Sequence, residues 1–234
     1  MTASSLAFAI ACSMSGHRPE DPNRIELRVG EYLREDYIKA LCSTLSPLKA
    51  TRPDGFPQLI VVARGQIGLS FMPIHNFHEG DEPYHVTKTG TVKQDGLSSS
   101  EIGTLIAQGP EAFSLEKEHS TFRFWFVGNA ERWVSNAVIA GSYRDASGRM
   151  YVLDRSGKAF FPGQKVFSYS LSLDHVLTNH DYIYSSDLEK SWAAVITPQS
   201  LFLHDESGDV GEIVSPTPHW ILSRVSSSPA CKQP

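Results

Sequence analysis

The stretch SYRDASGRMYVLDRSGKAFF, residues 142–161, decides the fold class. Two polar runs that each end in glycine, at 145–148 and 154–157, separate three runs that carry Tyr, Val and Phe. Glycine at the end of such a loop provides the positive φ angle that tight hairpins need, and aromatic and β-branched residues favour strands. The stretch therefore predicts three antiparallel strands joined by two tight turns.

The same pattern continues through most of the chain. Residues 58–64, 121–128 and 165–176 carry apolar residues in short runs or at alternate positions, which is the strand period. Turn signals recur about every 8–12 residues in the C-terminal half, as in antiparallel meanders that close into barrels or sandwiches. We therefore predict a mainly β protein, an antiparallel up-and-down barrel or sandwich of roughly ten to twelve short strands.

One N-terminal helix interrupts this pattern. Residues 34–45 place apolar side chains at helical spacing, and Glu35 and Asp36 fall in the first turn, where the helix dipole favours negative charge. Pro47 then ends the helix. Residues 131–143 fit either a helix or a strand, and their β-branched residues favour a strand from Val134 onward.

The positions of the turn and linker signals in the chain are typical of one folded unit. Residues 96–112 lack a clear strand pattern, and we interpret them as a long loop rather than a boundary. We predict an N-terminal signal or disordered segment at 1–24, a single β-rich domain at 25–226 and a flexible tail at 227–234.

Composition and charge exclude several classes of protein. The chain has 234 residues, of which 41% are hydrophobic and 20% charged, so it can bury a sizeable core. Its net charge is −5, and its basic residues form no concentrated patch, which argues against nucleic-acid binding. No apolar run reaches the roughly 20 residues that a membrane-spanning helix needs. We also find no glycine-rich nucleotide-binding motif and predict no cofactor.

The N-terminus resembles a bacterial lipoprotein signal. Small and apolar residues, Ala9-Ile10-Ala11, precede Cys12, which such a signal would acylate. The alternative is the frayed tail of a cytosolic protein. If Cys12 carries lipid, Cys42 and Cys231 remain as one pair that could form a disulfide in an oxidising compartment.

Three short motifs resemble the lipocalin-like, or calycin, β-barrel family. Gly30-Glu31-Tyr32 stands where that family has G-x-W, Asp181-Tyr182 matches the end of its T-D-Y motif, and Arg224 follows Trp220 near the C-terminus. The resemblance implies an up-and-down barrel with a ligand in its interior.

Two strand-like segments supply candidate residues for such a ligand site. Aromatic side chains at alternate positions could line a barrel interior and hold an apolar ligand, although an ordinary packed core explains the same pattern. The candidate ligand-binding residues are Phe122, Phe124, Phe126, Phe167 and Tyr169.

The segment PIHNFHEG, residues 73–80, raises the question of a metal site. His75, His78 and the nearby His85 belong to the densest group of candidate ligands in the chain, and zinc takes such ligands. Their spacing matches no established helical zinc motif, so a polar turn after a strand is the alternative. Asp174-His175 and His180-Asp181 could orient an imidazole for general-base chemistry, but neighbours on a strand face opposite ways.

The leading hypothesis is a non-enzymatic binding protein of the bacterial envelope, periplasmic or attached to the outer membrane through Cys12. It would hold a small apolar or amphipathic ligand in a β-barrel, and a cytoplasmic location is the alternative. A hydrolase-type or metal-binding enzyme that uses residues 75–85 is the first alternative function. A protein-interaction or immunity-type module, with a protein partner instead of a ligand, is the second.

Overall fold

The computed structural model describes residues 26–65, 68–75, 77, 80, 82–87, 89–94, 100–175, 179–206, 216–226 and 231. The predicted signal segment with Cys12, the predicted metal ligand His78 and most of the predicted tail lie outside these residues.

The first half of the chain forms a closed eight-stranded antiparallel barrel. Its strands follow one another around the wall in chain order, and β1 pairs with β8 to close it. The strands are β1 (Gly30–Arg34), β2 (Leu59–Gly65), β3 (Gly68–Ile74), β4 (Tyr84–Val86), β5 (Thr91–Gln94), β6 (Glu101–Ala107), β7 (Ala112–Lys117) and β8 (Ser120–Gly128). This arrangement confirms the predicted mainly β, up-and-down fold class.

The second half forms a nine-stranded antiparallel sheet in the order β12-β11-β10-β9-β17-β16-β15-β14-β13. Its strands are β9 (Gly141–Arg144), β10 (Met150–Leu153), β11 (Lys158–Phe160), β12 (Phe167–Ser168), β13 (Ser170–Leu171), β14 (Asp181–Ser185), β15 (Lys190–Ile196), β16 (Ser200–Asp205) and β17 (Trp220–Arg224). The first three strands are the meander predicted from residues 142–161.

This second sheet is nearly closed by a single bent segment. Its two outermost strands, β12 and β13, are separated along the chain by Tyr169 alone. The first half of the segment pairs with β11 and the second half with β14. The Tyr169 amide donates to the Gly157 carbonyl, 2.9 Å away, at the point where the segment crosses over.

In the part of the chain that the structure describes, three short helices connect and fill the sheets. They are α1 (Glu35–Thr44), α2 (Pro47–Ala50) and α3 (Ala130–Val138). The first confirms the predicted N-terminal helix. Among the described residues, no helix is long and apolar enough to cross a membrane.

Two local predictions are wrong. Residues 130–138 form helix α3 rather than a strand from Val134, because the Asn129 side chain caps the helix by accepting from the Arg132 amide, 2.8 Å away. Val134 and Val138 then lie four residues apart on its buried face. Residues 96–112, interpreted as a loop, contain strand β6 and the start of β7.

The molecule has two hydrophobic cores, one inside each sheet. On β1, Tyr32 points into the eight-stranded barrel, whereas its neighbour Leu33 points outward into the second core. Helices α1 and α3 lie in that second core, between the outside of the barrel and the inside of the nine-stranded sheet. The Ala130 amide also donates to the Glu31 carboxylate, which ties α3 to the barrel.

A disulfide joins Cys42 on α1 to Cys231 near the C-terminus, with their Cα atoms 5.4 Å apart. The sequence had left this pairing open. The bond fixes the end of the chain to the helix that packs between the two sheets.

Candidate functional site

The five aromatic residues proposed to line a ligand site do not come together. Phe122, Phe124 and Phe126 lie inside the eight-stranded barrel. Phe167 and Tyr169 lie in the other core, inside the nine-stranded sheet. They therefore cannot line one common cavity.

The middle of the eight-stranded barrel is filled by its own aromatic side chains. The Phe113 ring centroid lies 5.1 Å from Tyr32, 5.2 Å from Phe124 and 5.9 Å from Phe71. All four side chains are fully buried. Ring pairs at these separations are favourable contacts that pack a core densely. This packing leaves the ends of the barrel as the places where a ligand could enter.

One end of the barrel is closed by a buried arginine. The Arg34 side chain, 1% exposed, binds the carboxylates of Asp36 and Asp54 and donates to the Phe56 carbonyl. The Phe56 and Phe122 rings stack beside it with their centroids 3.8 Å apart. Burial alone would raise the Asp54 pKa, but the hydrogen bond from Arg34 and the backbone amide of Phe56 lower it below its usual value. This end holds a polar plug rather than an opening.

The opposite end carries a groove with a volume of about 780 Å³. Its walls are the segment 26–29 before β1, the hairpin between β2 and β3, and Pro110 in the turn between β6 and β7. Apolar side chains from the first two walls, Leu27, Val29 and Leu69, face arginines from the same walls. Ligand sites in proteins commonly have volumes of about 300–1,000 Å³.

The wall formed by residues 26–29 is held firmly in place. The Arg28 amide donates to the Pro110 carbonyl, and the Tyr32 hydroxyl lies 2.9 Å from the carbonyl oxygens of both Arg28 and Pro110. The Arg28 guanidinium binds Glu111 and lies 4.3 Å from the centre of the Phe126 ring. Burial raises the pKa of Tyr32 to about 12, so its hydroxyl stays a hydrogen-bond donor at neutral pH.

Arg64 stands on the facing wall. It occupies the position opposite Leu69 in the pairing of β2 with β3, and its side chain is exposed. Among the described residues, its guanidinium has no hydrogen-bond or ion-pair partner. The groove therefore combines apolar walls with one available positive charge.

In the structure, each of the two histidines pairs with a different acid from the one next to it in the sequence. The His175 Nε2 atom lies 3.6 Å from an Asp181 carboxylate oxygen, and His180 pairs with Glu206. Asp181 also accepts from the Leu48 amide at the start of α2, 2.9 Å away. Burial of the His175 ring lowers its pKa, against the opposing effect of Asp181. All four side chains are at most 12% exposed, so these pairs tie elements together and offer little access to a substrate.

The predicted metal site is only partly described. His75 follows the end of β3, whereas His85 lies within β4, opposite Ser70 and Lys93. Among the described residues, no three His, Cys, Asp or Glu side chains come together in a way that could hold a metal ion. Because His78 lies outside those residues, the three-histidine hypothesis stays a prediction.

Comparison with known proteins assigns no family. No family model, no curated protein and no solved structure matches the chain. The eight-stranded closed barrel agrees with the architecture that the calycin resemblance implies, and Gly30 does open its first strand. However, Asp181, Tyr182 and Arg224 lie in the nine-stranded sheet instead of the barrel.

Sequence reasoning missed the groove. Leu27 and Arg28 fall in residues 25–33, whose alternating apolar positions indicate a strand, and Arg64 and Leu69 flank a hairpin turn. The available signal was the order Arg-Gly at 64–65 and Gly-Leu at 68–69, a hairpin with charge and apolar surface at its tip.

Proposed function

We propose that this protein is a non-enzymatic binder of a small amphipathic ligand, held in the groove at the open end of the eight-stranded barrel. The observation that carries the proposal is the contrast between the two ends. One end is plugged by Arg34, and the other has a groove of about 780 Å³ with apolar and cationic walls. The volume of the groove lies in the range of small-molecule sites, and its lining combines charged with apolar side chains, as an amphipathic ligand requires.

This proposal places the ligand at the end of the barrel and not in the barrel interior, where the sequence had predicted it. Four fully buried rings occupy the middle of the barrel, so the apolar part of the ligand would rest on Val29 and Leu69 at its rim, beside the mostly buried Leu27. Val29 is 51% exposed in the structure, and covering it with a ligand would remove apolar surface from water.

We also propose an oxidising location, in the periplasm or at the outer membrane. The disulfide between Cys42 and Cys231 supports this location, because such bonds persist in oxidising compartments and are uncommon in reducing ones. Mass spectrometry of the protein isolated from fractionated cells tests it. A reduced, cytoplasmic protein would contradict the proposal.

Native mass spectrometry compared with the denatured mass tests the proposed function first. A retained ligand would add several hundred daltons to the native mass, in line with a molecule that fits such a groove. A protein that arrives empty is then titrated with dodecyl amphiphiles below their micelle concentrations, with binding measured by calorimetry.

Leu69→Gln is the variant that ties binding to the groove, and Leu188→Gln is its control. Leu69 lines the groove, whereas Leu188 is 43% exposed in the turn that joins β14 to β15 in the nine-stranded sheet. Replacing Leu69 should weaken binding about tenfold, as expected for the loss of roughly 1.4 kcal/mol of apolar contact. Unchanged affinity in Leu69→Gln, or equal losses in both variants, would refute a ligand site at this groove.

A further inference from the structure

We infer that the groove selects an amphiphile with an anionic head, and that Arg64 binds this head while the apolar rim takes a single short chain. The inference rests on the proposed function and names the class of ligand for the same site. Three features of the groove support it: the state of each arginine, the glycines beside Arg64, and the position of the apolar wall.

The two arginines of the groove are in different states. Arg28 is already used, because Glu111 neutralises its charge and the Phe126 ring lies against its guanidinium at 4.3 Å. Arg64 has no such partner among the described residues and is exposed at the rim. A guanidinium presents several N–H donors in a planar fork, which matches the paired oxygens of a carboxylate or a phosphate. Arg64 is therefore the group that can receive an anion.

The hairpin that carries Arg64 leaves room for a head group. A Cβ atom built on Gly68 would have no atom within 4 Å, and the φ angle of Gly68, +138°, is one that residues with side chains rarely adopt. Gly65 follows Arg64 directly and also lines the groove. Neither glycine adds a side chain to the part of the groove wall next to Arg64 in the chain, which leaves space there for the oxygens of a ligand.

The apolar wall sets the place of the chain. Leu69 lies directly across the strand pair from Arg64, and Leu27 and Val29 form the opposite wall. A head group on Arg64 therefore starts its chain next to Leu69. The filled barrel interior stops the chain from going deeper, so it lies along the rim.

Isothermal titration of the full-length protein at pH 8 tests the inference with three amphiphiles of equal chain length. They are dodecanoate, a neutral dodecyl glucoside and dodecyltrimethylammonium, each below its micelle concentration. We expect dodecanoate to bind at least tenfold more tightly than the cation, and added salt to reduce this difference because it screens exposed charges. Inorganic phosphate alone should bind at least tenfold more weakly than dodecanoate.

Arg64→Gln isolates the head-group contact. It should weaken dodecanoate binding about tenfold and leave the affinity for the neutral glucoside unchanged. Arg64→Lys should restore part of the loss. Arg144→Gln, which removes an exposed arginine of the nine-stranded sheet, should change neither affinity.

The outcomes separate this inference from the proposed function. If all three amphiphiles bind with equal affinity, or if Arg64→Gln weakens the glucoside as much as dodecanoate, the groove binds amphiphiles but the head-group inference is wrong. If inorganic phosphate binds as tightly as dodecanoate, the site takes a free anion and the amphiphile assignment is wrong. If none of the probes binds, the proposed function fails and the inference fails with it.

Discussion

The eight-stranded barrel and the nine-stranded sheet have the same antiparallel wall but are filled in different ways. The barrel is filled from its own wall, by rings such as Phe71, Phe113 and Phe124. The nine-stranded sheet is filled by helices α1 and α3 together with its own tyrosines and tryptophans. The rings of the wall fill only the middle of the barrel, so its two ends differ: Arg34 closes one end, and the other end carries the groove.

The tryptophans make this difference measurable. All four, Trp125, Trp133, Trp192 and Trp220, belong to or pack against the core of the nine-stranded sheet, and none lies in the barrel interior. Tryptophan fluorescence therefore reports on the second core. Far-UV circular dichroism reports on both sheets, so the two signals together show whether the regions unfold as one unit.

The largest expected effect comes from removing the central ring of the barrel. Phe113→Ala should lower the free energy of unfolding by roughly 3–5 kcal/mol, because Phe113 is fully buried among three other rings. Since β1 contributes Tyr32 to one core and Leu33 to the other, we expect the tryptophan signal in urea to shift with the circular dichroism.

Phe160→Ala is the control, because this side chain is 44% exposed on the nine-stranded sheet, and it should cost less than about 1 kcal/mol. A tryptophan transition that stays unchanged in Phe113→Ala would show that the two cores unfold independently.

Reduction of the disulfide should have the next largest effect. The bond links residues 42 and 231, with a sequence separation of 189, and removing a cross-link around so long a segment should cost roughly 2–4 kcal/mol. Urea unfolding with and without a phosphine reductant measures it. The double variant Cys42→Ser, Cys231→Ser should be as unstable as the reduced protein and should not respond to reductant. Equal midpoints in both conditions would show that the cross-link contributes nothing to stability.

Opening the plugged end should cost somewhat less. Arg34→Met should lower the free energy of unfolding by roughly 1–3 kcal/mol, because the Phe56 carbonyl loses the closer of its two side-chain donors, Arg34 and Gln58. Asp36 and Asp54, each more than 40% exposed, can turn to water. Thermal melts compared with Arg52→Met provide the measurement, because Arg52 is an exposed arginine of the loop that carries Asp54 and Phe56. Equal melting temperatures for the two variants would contradict the role of Arg34 as a plug.

The smallest effect should depend on pH and belong to the nine-stranded sheet. Burial holds the pKa of folded His175 below the value of about 6.5 for an unfolded histidine, so the unfolded chain takes up the proton first. The stability linked to His175 is therefore fully present above about pH 6.5 and is lost as the pH falls toward the folded pKa.

Urea midpoints measured from pH 8 to pH 5 should decline less in His175→Asn than in the parent protein. The groups that face His175 are Asp174, Asp181 and His180. A steeper decline in the variant would mean that the pair with Asp181 outweighs burial.

The local sequence pattern predicted the antiparallel strands of this molecule well, but it did not predict that they form two separate sheets. The turns at 145–148 and 154–157 are where glycine and aspartate placed them, because hairpin geometry is a local property. The pairing of β17 with β9 joins residues about 80 positions apart in the chain, and no local signal specifies it. Alternation showed which strand residues share a face, yet it could not assign Phe124 and Phe167 to different cores.

The two wrong secondary-structure predictions each have a physical reason. Strand β6 was not predicted because it contains Gly103, and glycine is uncommon inside strands. Glycine is needed at this position because a Cβ atom there would lie 2.7 Å from the Glu116 carbonyl oxygen. Helix α3 was predicted as a strand because its valines favour strands. In the fold, the packing of these valines against two sheets outweighs that preference. The groove was missed because its walls meet only when the segment before β1 folds against the turn at Pro110.

The bent segment at 167–171 has a consequence for how copies of this protein can associate. A sheet with long unpaired outer strands is a template for adding strands from another chain, which is a common start of aggregation. The eight-stranded barrel is closed, and the outermost strands of the other sheet are two residues each and continuous with one another. Within the described residues, the outermost strands of the nine-stranded sheet are therefore too short to serve as a long template for a strand from a neighbouring copy.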